Sequence, residues 1–155
     1  MQIEEKIASL GLTLPPAPSP AANYVGAVRT GNLLFVSGHG PTGTTAGERK
    51  FIGKVGRDLT LEQGYAAAQD VCLNCLATVR ANLGSLDKVR RVVKLLGFVN
   101  SAPGFQDQPK VINGASNLLV ELYGERGRHA RSAVGMAELP FGIAVEIEMV
   151  LEVED

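Results

Sequence analysis

Apolar and polar positions alternate most cleanly near the carboxyl end, where Val145, Ile147, Met149 and Leu151 interleave with Glu146, Glu148, Val150 and Glu152. A period of two predicts a strand with one oily face and one face carrying glutamates. Upstream, Arg131, Ala133, Gly135 and Ala137 alternate with Ser132, Val134 and Met136, and Leu139-Pro140-Phe141-Gly142 reads as a turn joining the two strands into a hairpin. If Val134 and Met136 face the helices, Arg131 and its small neighbours share the other face with Glu146 and Glu148. Small side chains there would admit a ligand or a second subunit closely.

The same reading orders the rest of the chain. Ile3, Ile7 and Leu10 recur at helical spacing and Gly11 supplies a cap, so a short helix opens the sequence. Pro15 to Pro20 holds four prolines in six residues, an extended connector that cannot join a helix or a central strand. Tyr24 to Gly38 contains two β-rich runs divided by Gly31-Asn32, a hairpin signal. Thr42 to Lys50 is a polar, glycine-rich loop, and Phe51-Ile-Gly-Lys-Val could add a short third strand.

Thr60 followed by Gln63 has capping-box spacing, and an alanine- and leucine-rich helix runs from there to Leu83, with Gly84 as its stop. The β-branched run from Asp87 to Asn100 predicts a central strand buried on much of both faces. A second helix spans Pro109 to Gly124 on the stripe Val111, Ile112, Leu118, Leu119, Leu122 and Tyr123. The expected fold is α+β, with two main helices on one face of a mixed sheet. Residues 1–20 form a helix and proline-rich connector, and residues 21–155 a single domain.

Composition narrows the function more than the fold. A chain of 155 residues can bury a core without disulfides or metal. With a net charge of −1 it has no electrostatic footprint for nucleic acid or an anionic membrane, and the arginines at 126, 128 and 131 stand beside Glu121 and Glu125. No apolar run approaches the ~20 residues of a membrane span. The first residues are acidic where a signal peptide would be basic, so the expected location is the cytoplasm.

Arg131 is the best anion-binding candidate, because its planar fork can hold a carboxylate through two hydrogen bonds. The alternative is a surface ion pair with a glutamate across the hairpin, worth little energy. Glu146 could orient or deprotonate a water. Cys72-Leu-Asn-Cys75 has C-x-x-C spacing but lies in mid-helix with no companion ligands, so it reads as two small buried residues rather than a redox or zinc site. His39 and His129 flank the candidate segments, as proton shuttles or inert loop residues. On spacing alone Tyr24 is a packed aromatic and Asn113 a helix-start polar group.

These residues resemble the RidA (YjgF/YER057c/UK114) family from about Tyr24 onward. The strongest element is Ala130-Arg-Ser-Ala-Val134 with Leu139-Pro140 and Val145-Glu-Ile-Glu148. Asn23-Tyr-Val25, Val36-Ser-Gly38, Val99-Asn100 and Ile112-Asn113 are weaker ones. The resemblance implies a chorismate-mutase-like fold and a homotrimer with clefts between subunits. It also implies hydrolysis of 2-imino or enamine acids to 2-keto acids and ammonia, with no metal or organic cofactor. In that scheme Arg131 grips the substrate carboxylate, Glu146 positions the attacking water, and Tyr24, Ser37, Gly38, His39, Asn113 and Ala133 line the cleft. Two positions depart from the family pattern: His39 stands where glutamine is usual and Ala133 where cysteine is often found. These departures and the amino-terminal extension resemble a divergent subgroup labelled endoribonuclease L-PSP-like. The alternatives from other classes are a non-catalytic trimeric binder of small carboxylates and an RNA-cleaving translation inhibitor. Near-zero charge and the lack of an aromatic-basic stripe weigh against the latter.

Overall fold

The structure, a computed structural model, describes residues 2–20, 22–42 and 50–155. Helix α1 is Gln2–Ser9, followed by strands β1 (Ala27–Thr30) and β2 (Leu33–His39), helix α2 (Leu61–Leu83), strand β3 (Val89–Asn100) and helix α3 (Gln108–Tyr123). Strands β4 (Ala130–Met136) and β5 (Val145–Val153) complete one mixed sheet in the order β1-β2-β5-β3-β4. Only β3 and β4 run parallel. The two-layer α+β architecture agrees with the sequence expectation. The heart of the expected loop, residues 43–49, lies outside the described residues.

Local signals explain most elements. The Thr60 hydroxyl accepts from the Gln63 amide at 3.1 Å while the Gln63 side chain accepts from the Thr60 amide at 2.9 Å, which satisfies two otherwise free donors of α2. Gly84 ends that helix in left-handed backbone, φ 84°. Helix α3 crosses α2 so closely that a Cβ on Gly114 would stand 2.1 Å from the Tyr65 carbonyl oxygen. Ile3 and Ile7 of α1 sit in the same core as the sheet and the two long helices. The Asp87 carboxylate accepts from the Gln2 and Ile3 amides, and Glu4 of α1 returns an acceptor to the Leu86 amide. The first helix is thereby capped by the segment that it caps.

Three expectations are corrected. The 51–55 segment is not a strand; it makes only isolated bridges, Ile52 to Ile143 and Val55 to Leu59 and Ser101. Strand β3 is interior but buried on one face only, for Arg90, Arg91 and Val93 are exposed and Lys94, Leu96 and Phe98 half-exposed on the side away from the helices. β-branched content reports strand propensity, not two-sided burial. Finally, β4 and β5 do not form a hairpin: β3 lies between them. The β3-α3-β4 unit is a crossover, which delivers β4 parallel to β3 at the sheet edge. The 137–144 segment must then pass over the end of β3 to reach β5. Asn100 pins that passage, its amide bonding the Ala144 carbonyl and its side chain donating to the Ile143 carbonyl at 3.1 Å. Its Oδ1 accepts from Lys54 Nζ, which also donates to the Ala137 carbonyl.

Candidate functional site

Strand register decides which face each candidate occupies, because paired residues point to the same side of a sheet. Arg131 pairs with Leu95, which pairs with Met149, and both of those are buried under the helices. Glu146 pairs with Phe98 and Phe98 with Val134, the row on the open face. Arg131 and Glu146 therefore lie on opposite faces of the sheet, two strands apart, a lateral separation of roughly 10 Å. The expected shared face is corrected: the small residues Ala133 and Gly135 belong with Arg131 on the helix side, paired to Gly97 and Val99. Alternation alone could not reveal this, since which face is inside depends on the crossover and not on the strand's own pattern.

The candidates gather into two groups. In the first, Glu146, Tyr24, Gly38 and His39 line a cleft of about 370 Å³, walled by Pro18, Pro20, Pro41, Pro140 and Phe141. Gly38 makes room for the carboxylate, since a Cβ there would stand 2.7 Å from Glu146 Oε2. Burial, helped by the charge of Glu148, pushes the Glu146 pKa up, so it is a stronger base than a solvated glutamate. Helix α2 fixes the floor of the cleft with side chains one turn apart: Asn74 donates to the Gly40 carbonyl at 3.0 Å, and Thr78 Oγ1 meets His39 Nε2 at 2.7 Å. His39 Nδ1 lies 2.5 Å from the Ser37 carbonyl. His39 is 7% exposed, and burial holds its pKa below the usual imidazole value. With both ring nitrogens engaged it is a structural anchor of the cleft.

In the second group, Arg131 Nη1 donates to Asn113 Oδ1 at 2.8 Å and to Ser116 Oγ at 3.2 Å, both on α3. Ser116 Oγ is also 2.9 Å from His129 Nε2, and His129 Nδ1 is 2.6 Å from the Gly127 carbonyl. Among the described residues no carboxylate stands within ion-pair distance of Arg131. The ion pair with a glutamate, open from pattern alone, is not formed there. A half-buried guanidinium held by neutral oxygens keeps its full charge for an anion. Ala133 is half-buried two residues along the same strand face.

Ser37 joins neither group. Its hydroxyl donates to the Val25 carbonyl at 2.6 Å, and it borders a smaller depression on the open face with Lys94, Leu96 and Glu148. Cys72 and Cys75 are fully buried, and burial pushes the Cys72 thiol up to about 12 and Cys75 well above its ordinary value, which keeps both inert. Among the described residues no three His, Cys, Asp or Glu side chains gather as a metal cluster, and no helix is long and apolar enough to cross a membrane. Sequence reasoning missed Ser116 and the cleft walls Phe141, Pro18 and Pro20. The Asn113-x-x-Ser116 spacing, which puts two polar groups on one side of α3, was the available signal for the first. Phe141 carries φ 61°, a conformation that nothing in its neighbours' side chains announces.

Residues 4–150 match the family model described as "YjgF/chorismate_mutase-like, putative endoribonuclease". The chain is 45% identical over 155 residues to Protein TCP17 of Trypanosoma cruzi, covering 99% of this chain and 96% of that one. It is 31% identical over 143 residues to a 2-iminobutanoate/2-iminopropanoate deaminase of Dermatophagoides farinae, covering 92% and 95%. Among solved structures, protein Atu1372 of Agrobacterium tumefaciens superposes with a TM-score of 0.90 at 50% identity, covering 98% of this chain and 92% of that one.

Proposed function

The chain belongs to the "YjgF/chorismate_mutase-like, putative endoribonuclease" family, and from that premise we propose that it hydrolyses 2-imino or enamine acids to 2-keto acids and ammonia at a site shared between copies of the chain. The observation that carries the reading is the division of labour across the sheet. One face holds an arginine whose charge meets no carboxylate among the described residues. The other holds a glutamate with a raised pKa in an apolar-walled cleft. Neither half can do the chemistry alone, and one chain does not bring them together. A second copy supplying its cleft to the Arg131 side of the first would complete the site. The open face bears the apolar surface that such an assembly would bury, with Val28, Phe35 and Val134 exposed at 55%, 45% and 38%.

In this reading Arg131 receives the substrate carboxylate and Glu146 accepts a proton from a water whose oxygen bonds to the imine carbon. Glu146 returns that proton to the nitrogen as the carbinolamine forms, the carbinolamine hydroxyl proton then passes to the same nitrogen, and the C–N bond breaks to release ammonia and a 2-keto acid. The deaminase of D. farinae carries this reaction in its name, and that likeness supports the substrate class. The decisive experiment mixes subunits. Arg131→Ala and Glu146→Gln are each expected to abolish ammonia release from 2-aminoacrylate generated by a dehydratase. Refolded as an equal mixture, they should recover about one quarter of native activity, because that share of intersubunit sites receives both native groups. Full activity in Arg131→Ala would sink the reaction; an inactive mixture would sink the shared site.

A further inference from the structure

The Arg131 side chain is held by more than the helix residue that the family resemblance pointed to. Resting on the reading that Arg131 grips a carboxylate, we infer that Ser116 and His129 are positioning residues, a relay that fixes the guanidinium so that its Nε–Nη2 edge faces the ligand.

Hydrogen-bond polarity sets the direction of the relay. The Gly127 carbonyl can only accept, so His129 Nδ1, 2.6 Å away, carries the ring proton. Nε2 of the neutral ring is then an acceptor, and the Ser116 hydroxyl, 2.9 Å away, donates to it. Burial and the nearby Arg131 charge both lower the His129 pKa, which keeps the ring in this neutral form. A hydroxyl committed in that direction turns a lone pair toward Arg131 Nη1 at 3.2 Å. Asn113 Oδ1 takes the other Nη1 proton at 2.8 Å. Both protons of Nη1 are now used. The donors left for two parallel bonds are Nε–H and one Nη2–H, the side edge of the fork. Without Ser116 and His129, the guanidinium would be tethered at Asn113 alone and free to rotate its end edge outward.

The relay spans three elements. Helix α3 supplies Asn113 and Ser116 at positions three apart, the turn after α3 supplies Gly127, and β4 with the residue just before it supplies Arg131 and His129. His129 and Arg131 are two residues apart in an extended chain, so they point to the same side and reach the same serine.

Steady-state kinetics and calorimetry on the full-length protein test the relay. Ser116→Ala and His129→Leu should raise KM for the imino acid and Kd for 2-ketobutanoate together by about 3- to 10-fold, leaving kcat within about twofold. Ser116→Thr, which keeps the hydroxyl, should restore both. Unchanged KM and Kd in Ser116→Ala and His129→Leu would overturn the relay, and so would a fall in kcat at constant KM. Arg131→Ala separates the two levels of the argument. If it abolishes 2-ketobutanoate binding while Ser116→Ala does nothing, the relay alone is wrong. If Arg131→Ala binds 2-ketobutanoate normally, the carboxylate grip fails and the relay with it.

Discussion

His39 and His129 are wired alike. Each approaches with Nδ1 the carbonyl two residues earlier, Ser37 or Gly127, and each meets with Nε2 a hydroxyl on a long helix, Thr78 of α2 or Ser116 of α3. The difference lies in what stands beyond the hydroxyl. Past Ser116 is Arg131, half-buried and with no acid within ion-pair distance among the described residues, whereas Thr78 closes a fully buried contact beneath the Glu146 cleft. The same device therefore serves as a wall support in one place and as a handle on a charged group in the other. An inert histidine and a functional one are told apart by their second neighbour, which residue type and local spacing do not disclose.

The largest perturbation acts on the two helices that carry both anchors. Helices α2 and α3, which carry Thr78 and Ser116, approach closely at Gly114, where an added Cβ would meet the Tyr65 backbone 2.1 Å away. Backbone cannot yield as a flexible side chain can, so Gly114→Ala should lower stability by about 3 kcal/mol, read as a shifted urea midpoint. An unchanged midpoint would mean that the helices have slack at this contact.

Thr78→Val separates the anchors. It keeps the shape of the side chain but leaves His39 Nε2 buried with no donor, which should cost about 1–3 kcal/mol. Ser116→Ala sits in a more open place and should lower stability by no more than about 1 kcal/mol, its effect appearing in ligand affinity. Equal stability losses in the two variants would erase the distinction between support and handle.

The fold was largely legible because its signals are local. The Thr60–Gln63 cap, the Gly31-Asn32 hairpin and the alternation of β5 each depend on residues within a turn or a strand of one another. Residues 4–150 match one family model, in keeping with the resemblance seen in Ala130–Val134 and Val145–Glu148. What failed was non-local. The last two strands look like a hairpin because a Leu-Pro-Phe-Gly turn joins them, yet the parallel crossover through α3 inserts β3 between them. That one error moved Arg131 to the wrong face. The expected hairpin put Arg131 beside Glu146, and the strand order instead sets the two on opposite faces of the sheet.

Acid should expose the same contrast more gently. His39 has a folded pKa below its unfolded value, so the unfolded state binds the proton first as pH falls. The stability that the neutral ring contributes is present above about pH 6.5 and is lost as pH drops through the depressed folded pKa. His39→Gln should therefore flatten the stability profile below pH 6.5, measured by urea midpoints across pH 4 to 7. His129 shifts in the same direction but is half-exposed, so His129→Gln should flatten it less.

Glu146 gives the smallest effect and the opposite sign. Its folded pKa is raised, chiefly by burial and then by Glu148, so the native state holds the proton more tightly than the unfolded chain. The ionised form is thus a burden on the native state, one that grows as pH rises from the unfolded value near 4.5 through the raised folded value. Glu146→Gln removes the charge while keeping the shape. It should raise stability at pH 7 by less than about 1 kcal/mol, given screening at a half-exposed group, and leave stability at pH 4 unchanged. The same variant is expected to lose ammonia release. A carboxylate that destabilises the fold at the pH where it is ionised, in the cleft where a water-activating base would stand, fits a group retained for chemistry and not for packing. A stability loss in Glu146→Gln would instead make it a structural partner of the Gly38 segment.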